Sequence, residues 1–188
     1  MIMALLAKTR ETLMTAEELS HRPDLEPCEL VAGRLVQMPP TGFEHGDVEC
    51  GLGADLRAWA KATGRGRVAG GEVGIFIRRN PDTVRAADVL FISHERLARR
   101  GPSPYLDVPP ELVVEILSPD DRWSEVMEKL EDYFSAGVDR VWVVDFRRRK
   151  IFAYRSLSDV ETLGREDLLA DEEVLPGFSV RLADVLPG

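Results

Sequence analysis

The stretch Glu111-Leu112-Val113-Val114-Glu115-Ile116-Leu117-Ser118-Pro119 constrains the fold more than any other part of the chain. Its apolar residues fall on both parities of a strand, so a strand here must be covered on both faces. Glu115 nevertheless stands in its middle. A buried carboxylate without a partner is too costly to keep charged, so Glu115 must be paired, protonated or bound to a cation. Two readings are open at this point. Glu115 binds a divalent metal whose site is completed by other segments, or it is locked in a buried salt bridge to an arginine.

Around this strand the pattern alternates between helix and strand signals. Met14-Thr15-Ala16-Glu17-Glu18-Leu19 predicts a short helix, with Thr15 as N-cap and Glu18 three residues on in capping-box spacing. Residues 29–38 predict a hairpin turning at Ala32-Gly33. A helix follows over residues 44–62, with Val48, Leu52, Leu56 and Trp59 on one stripe and His45 a turn before Val48 on the same side. Residues 72–77 and 84–92 predict two strands joined by a turn at Arg79-Asn80-Pro81-Asp82. The second carries Asp88 between Ala87 and Val89, and Glu72 opens the first. A short helix is expected over residues 93–100 and a Pro-rich loop over 101–110.

After Ser118-Pro119, residues 124–136 predict a helix closed by Gly137. Its buried stripe is Trp123, Val126, Met127, Leu130, Tyr133 and Phe134, with Lys129 at the margin. Residues 138–145 predict another buried strand, Arg147-Arg148-Arg149-Lys150 a turn, and residues 151–155 an edge strand. Further strand-like pieces lie around Glu173-Val174-Leu175 and Phe178-Ser179-Val180. Residues 1–13 are expected to form an N-terminal arm, and residues 14–188 one domain with a sizeable core.

Charge and cysteine content narrow the function. A formal net charge of −9 argues against a general nucleic-acid coat protein. It leaves room for a metal-dependent nuclease, where cations offset carboxylates near a phosphate. Two cysteines without metal-type spacing predict a reduced, cytoplasmic setting. The apolar start is too short for a signal peptide, and no run reaches membrane-spanning length, so no membrane partner is expected.

Glu72, Asp88 and Glu115 thus sit on or beside successive apolar strands, with Lys129 at the edge of the next helix. Hard divalent cations take oxygen ligands and few protein carboxylates, with water completing the shell. Asp88 and Glu115 could supply that pair, Glu72 a further ligand, and Lys129 a charge that stabilises a phosphoryl transition state. His45 could bond a carboxylate or touch a phosphate. Each residue also has a plain structural reading. Asp88 could pair with Arg85 or Arg78, Glu72 could be an exposed strand end, His45 a half-buried helix-start residue, and Lys129 could extend to solvent.

The ordered series resembles the Uma2 (DUF820) family of the PD-(D/E)xK nuclease superfamily. It runs from Met14-Thr15-Ala16-Glu17-Glu18-Leu19 through Glu29-Leu30-Val31-Ala32-Gly33-Arg34-Leu35, His45, Ala87-Asp88-Val89 and Val113-Val114-Glu115-Ile116-Leu117-Ser118-Pro119. It continues with Lys129 and Tyr133, Gly137-Val138, Val141-Trp142-Val143-Val144-Asp145, and Leu175-Pro176-Gly177-Phe178. The resemblance implies an α/β, restriction-endonuclease-like fold: a mixed central sheet flanked by helices, with an N-terminal hairpin and a C-terminal strand extension. It implies a Mg²⁺- or Mn²⁺-dependent endonuclease acting on nucleic acid, most simply DNA, and a homodimer. Asp88, Glu115 and Lys129 would be catalytic, and Asp88, Glu115 and the Ile116 backbone carbonyl would hold the metal. Glu72 and His45 would be accessory. Ala87 stands where the motif has proline, and Leu117 where it has lysine; Lys129 is at the position to which this family moves that lysine. The rival expectation is a nuclease-like fold without catalysis that binds nucleic acid or protein.

Overall fold

The computed structural model describes residues 13–25 and 27–187; of the expected N-terminal arm, all but Leu13 lies outside them. Helix α1 (Ala16–Ser20) begins at the predicted capping box. Thr15 Oγ1 accepts from the Glu18 N–H at 3.1 Å, and the Glu18 carboxylate accepts from the Thr15 N–H at 2.8 Å. Strands β1 (Cys28–Val31) and β2 (Arg34–Gln37) form the predicted hairpin. Its two turn residues, Ala32 and Gly33, have φ of 49° and 77°, as two-residue hairpin loops require. A Cβ on Gly33 would stand 2.7 Å from the Leu13 Cβ, so space and backbone both demand glycine there.

Helix α2 (Phe43–Thr63) buries His45, Val48, Leu52, Leu56 and Trp59 as one stripe and ends at Gly64 in the left-handed conformation. Then come β3 (Gly66–Arg78), β4 (Thr83–Ser93), the single turn α3 (His94–Leu97) and β5 (Leu112–Ile116). Helix α4 (Trp123–Ala136) connects β5 to β6 (Arg140–Asp145), and β7 (Lys150–Ser156) and β8 (Asp159–Gly164) follow. The chain closes with β9 (Leu168–Ala170), β10 (Ser179–Arg181) and α5 (Leu182–Val185).

The main sheet runs β2-β1-β4-β5-β6-β7-β8, with β3 also paired to β4. Its β5–β6 pair is parallel and the other pairs are antiparallel, so the sheet is mixed as expected. Alternation along β5 assigns its side chains to two cores. Leu112, Val114 and Ile116 pack with α2, α5, Trp142 of β6 and the C-terminal segment, including Leu175 and Phe178. Val113 and Leu117 pack with Val126, Leu130 and Tyr133 of α4. The apolar run that is unreadable by parity is therefore a strand between two layers.

Four expectations are corrected. Trp123, expected on the buried stripe of α4, is exposed, because it opens the helix ahead of the turns that pack on the sheet. The strand holding Glu72 starts at Gly66 and not at residue 72, because Gly70-Gly71 lies within β3 at a bulge and does not interrupt it. The strand at 151–155 is not an edge, because β8 pairs outside it. Residues Glu173, Val174 and Leu175 form a turn rather than a strand; their apolar members are drawn inward to cover α2, and the tail's pairing is β9 with β10.

One detail of the topology positions the site. Strand β3 follows one edge of β4 along its whole length. The other edge is shared: β1 touches it at Leu30–Val84, and β5 pairs with it only from Val89 onward. Between them β4 lacks a backbone partner on that edge among the described residues. Side chains take over there. The Ala86 N–H donates to Glu29 at 3.0 Å, and the Ala86 carbonyl accepts from the Tyr133 hydroxyl at 3.3 Å. Backbone groups in a buried position must be satisfied, and here the satisfying groups are ionisable.

Candidate functional site

Into this split project residues from six elements. Asp88 and Glu115 come from β4 and β5 at the point where the two strands part, and both are buried. Asp88 Oδ2 accepts from the Ile116 N–H at 2.6 Å, in place of a ladder bond. Glu115 receives Lys129 Nζ at 2.9 Å on one oxygen and the Tyr133 hydroxyl at 2.6 Å on the other. Lys129 does not extend to solvent: its side chain is 23% exposed, and its ammonium also stands 3.1 Å from Glu29. Tyr133, one turn along α4, is wholly buried.

Neither of the plain arginine pairings predicted for the acids occurs. Arg85 bridges Glu29 at 2.8 Å and Asp132 at 2.7 Å, and Arg78 bonds Asp132 at 2.6 Å. The guanidinium groups are thus occupied by acids other than Asp88 and Glu115.

On the far side, α2 contributes His45 and Glu49. His45 is 4% exposed, with Nε2 3.4 Å from Asp88 Oδ1; that is ion-pair range, yet neither ring nitrogen makes a hydrogen bond. Glu72 sits at the β3 bulge with φ of 59°, next to Gly71 at 83°. A non-glycine residue in that region is strained and is tolerated where something holds it. Glu49 holds the bulge by accepting the Gly71 N–H at 2.8 Å. Glu72 Oε2 is buried without a hydrogen bond.

Electrostatics follow from this crowding. Burial pushes the Glu72 carboxyl up to about 7, with Asp88 adding to the shift and Lys129 opposing it. Burial likewise raises Glu115; Lys129 pulls the other way, and Asp88 and Glu29 push it further up. For Lys129, burial disfavours the charge, but Glu115 and Glu29 outweigh it and raise the pKa well above the ordinary lysine value. Glu29 is lowered, because Lys129 and Arg85 together overcome its burial. His45 is raised: burial lowers it, and Asp88, Glu49 and Glu72 more than compensate. Burial and the Glu115 charge raise Tyr133, so it stays a neutral donor.

The acids Glu29, Glu49, Glu72, Asp88 and Glu115 therefore face Lys129, His45 and a share of Arg85. That surplus of negative charge in a buried split is what an added cation would relieve. The donor set is oxygen-rich, as hard divalent ions require, and Glu72 Oε2 has a free acceptor site. Among the described residues, no group of three or more His, Cys, Asp or Glu side chains is already drawn together as a metal cage.

Of the residues singled out by sequence, Asp88, Glu115, Lys129, Glu72 and His45 all line the split, and Ile116 joins it through its N–H. Glu29 was not foreseen. It is 3% exposed, and the signal that points to it is an acid flanked by apolar residues in a short hairpin strand. The buried Asp132 also escaped notice, as a charged residue on a helix face read as apolar.

A family model, Uma2, described as "Putative restriction endonuclease", matches residues 15–184. No curated protein matches the chain. Among solved structures, the chain is similar to that of "a putative nuclease belonging to DUF820" from Anabaena variabilis. The TM-score is 0.77 at 19% identity, covering 92% of this chain and 97% of that one. At that identity the likeness concerns the fold.

Proposed function

This chain belongs to the Uma2 family, and from that premise we propose that it is a metal-dependent endonuclease hydrolysing phosphodiester bonds, with DNA as substrate and Mg²⁺ or Mn²⁺ as cofactor. The observation that carries the reading is the Lys129 ammonium 2.9 Å from Glu115, beside Asp88, where β4 and β5 part. Asp88, Glu115 and the Ile116 carbonyl would hold the ion, with Glu72 as a further oxygen donor. A bound divalent ion supplies Lewis acidity toward a phosphoryl oxygen and a more acidic water. Lys129 remains protonated at neutral pH, so its role is to stabilise negative charge on the phosphoryl group, not to accept a proton. Tyr133 and Lys129 fix the Glu115 carboxylate from two sides. His45 steadies Asp88.

The test is cleavage of DNA in Mg²⁺ or Mn²⁺ by wild type, Asp88→Asn and Glu115→Gln. Both changes preserve shape and remove charge. Loss of cleavage in both variants is expected; equal cleavage by all three proteins rejects the reading. A second reading, a binding module without catalysis, draws on the fact that both Glu115 oxygens already have protein donors. Calorimetric titration with Mn²⁺ separates the two: the nuclease requires heat of binding that Asp88→Asn removes. A homodimer is part of the proposal, and light scattering at high concentration tests it.

A further inference from the structure

The basic turn found in the sequence, and Trp123, expected on the buried stripe of α4 but exposed, play no part in the site above, and their placement relative to Glu115 is informative. Glu115 is in register with Val143 of β6, and Val143 with Phe152 of β7. These three residues form one row across the sheet, so Phe152 stands two strands from Glu115, roughly 10 Å away. Both side chains face the α4 layer: Glu115 meets Lys129 and Tyr133, and Phe152 packs in the α4 core. Trp123, the first residue of α4, lies edge-on over Phe152 with ring centroids 5.2 Å apart, and 43% of it is exposed. Lys150 shares the face of Phe152, two residues along β7. The turn at residues 147–150 is exposed throughout, and Arg147 Nη2 donates to the Ser118 carbonyl at 3.4 Å. That contact ties the turn to the loop that leaves β5 just after Glu115.

The nearby acids offset part of this charge, but among the described residues none is ion-paired with Arg147, Arg149 or Lys150. Asp145 is buried beneath Arg148, and Asp121 turns to the Ser118 N–H, leaving Asp120 and Glu125 exposed in the same neighbourhood. Helix α4 also starts without a side-chain cap at Arg122; the Glu125 N–H turns to the Arg122 carbonyl at 2.9 Å, which leaves the Trp123 and Ser124 amides without a partner inside the helix. In a chain of net charge −9, the densest basic run thus lies beside the acidic split, with an aromatic ring between them.

We propose that this rim is the track for a single nucleic-acid strand, with an unpaired base stacked on Trp123 and the following phosphates on Arg147, Arg149 and Lys150. The proposal rests on the nuclease reading and names its substrate class: single-stranded nucleic acid, or a single-stranded flap on a duplex. Aromatic side chains stack on any base face, and a basic groove follows the backbone without reading sequence. An intact duplex keeps its bases stacked on one another and has none to offer the indole.

The experiment is fluorescence anisotropy with a labelled oligonucleotide in EDTA, single-stranded against blunt duplex, over a range of salt. Wild type should bind the single strand more tightly. Trp123→Ala should weaken that binding by about tenfold and leave the duplex unaffected, and Trp123→Phe should restore most of the loss. Replacing Arg147, Arg149 and Lys150 together by Ala should reduce the salt slope for the single strand by about two. Unchanged affinity and slope in the triple variant, or duplex bound as well as single strand by wild type and Trp123→Ala alike, overturns the proposal. Hydrolysis of bis(4-nitrophenyl) phosphate with Mn²⁺ keeps the two readings apart, because that diester is too small to reach the rim. Rim variants should retain its wild-type turnover. If wild type fails on it and on oligonucleotides while the binding pattern holds, the catalytic reading fails and the strand track stands.

Discussion

Removing the Glu72 charge should stabilise the protein, and only above a defined pH. Its carboxyl is held in a strained bulge, with one oxygen buried and unbonded, and burial and Asp88 push it from 4.5 to about 7. Below pH 4.5 Glu72 is protonated in both folded and unfolded chains and carries no penalty. Between 4.5 and about 7 the unfolded chain ionises and the folded one does not, so stability falls as pH rises. Above about 7 both forms are ionised and the whole penalty is present. At about 1.4 kcal/mol per pKa unit its ceiling is about 3 kcal/mol; solvent reaching this half-buried group reduces it to about 1–2 kcal/mol. Glu72→Gln should therefore match wild type in urea unfolding at pH 4.5 and exceed it by that amount at pH 8, in metal-free buffer. The midpoint shift at pH 8 is about 0.5 M urea. Saturating Mn²⁺ should narrow the gap, since binding to the folded state at a hundred times Kd adds about 2.7 kcal/mol to wild type. An equal stability difference at both pH values refutes the reasoning, because it assigns the effect to packing instead of charge.

Other outcomes follow from the same geometry. Lys129→Met should abolish cleavage and destabilise the protein by about 3 kcal/mol at pH 8, because Glu29 and Glu115 lose their shared cation; chemical denaturation at pH 5 should show a smaller loss as Glu115 takes up a proton. Glu29→Gln should lower kcat by about tenfold with little change in KM, since Lys129 loses one of its two anchors; steady-state kinetics separates the two parameters. Mn²⁺ binding near pH 6.5 should release protons from Glu72 and Glu115, whose carboxyls burial raises alike; calorimetry in two buffers of different ionisation enthalpy reads the number, and zero release contradicts the proposed ligands. Leu52→Ala, wholly buried on the α2 stripe, should destabilise by about 2–5 kcal/mol without altering metal binding.

The sequence made the sheet and most of the site legible because several signals agreed. The Ala32-Gly33 turn, the Thr15–Glu18 box and the Gly64 and Gly137 stops are local, and local backbone chemistry decides them. Asp88 and Glu115 stood out because an acid inside an apolar run has few alternatives. The β3 bulge was hidden because Gly70-Gly71 reads as a break, whereas its conformation is fixed by Glu49 on another element. Glu29 and Asp132 were hidden for the same reason: their partner is Arg85, and a pairing across β1, β4 and α4 leaves no local mark. The C-terminal segment was misread as strand at Leu175, because an apolar residue covering a helix looks like one completing a sheet.

The charged split draws its groups from β1 through α4, from Glu29 to Tyr133, and no two neighbouring segments hold more than a fraction of it. During synthesis, the cluster therefore stays incomplete until α4 has left the ribosome and docked. A fragment ending before α4 would leave the Glu115 carboxyl without either of its two side-chain donors.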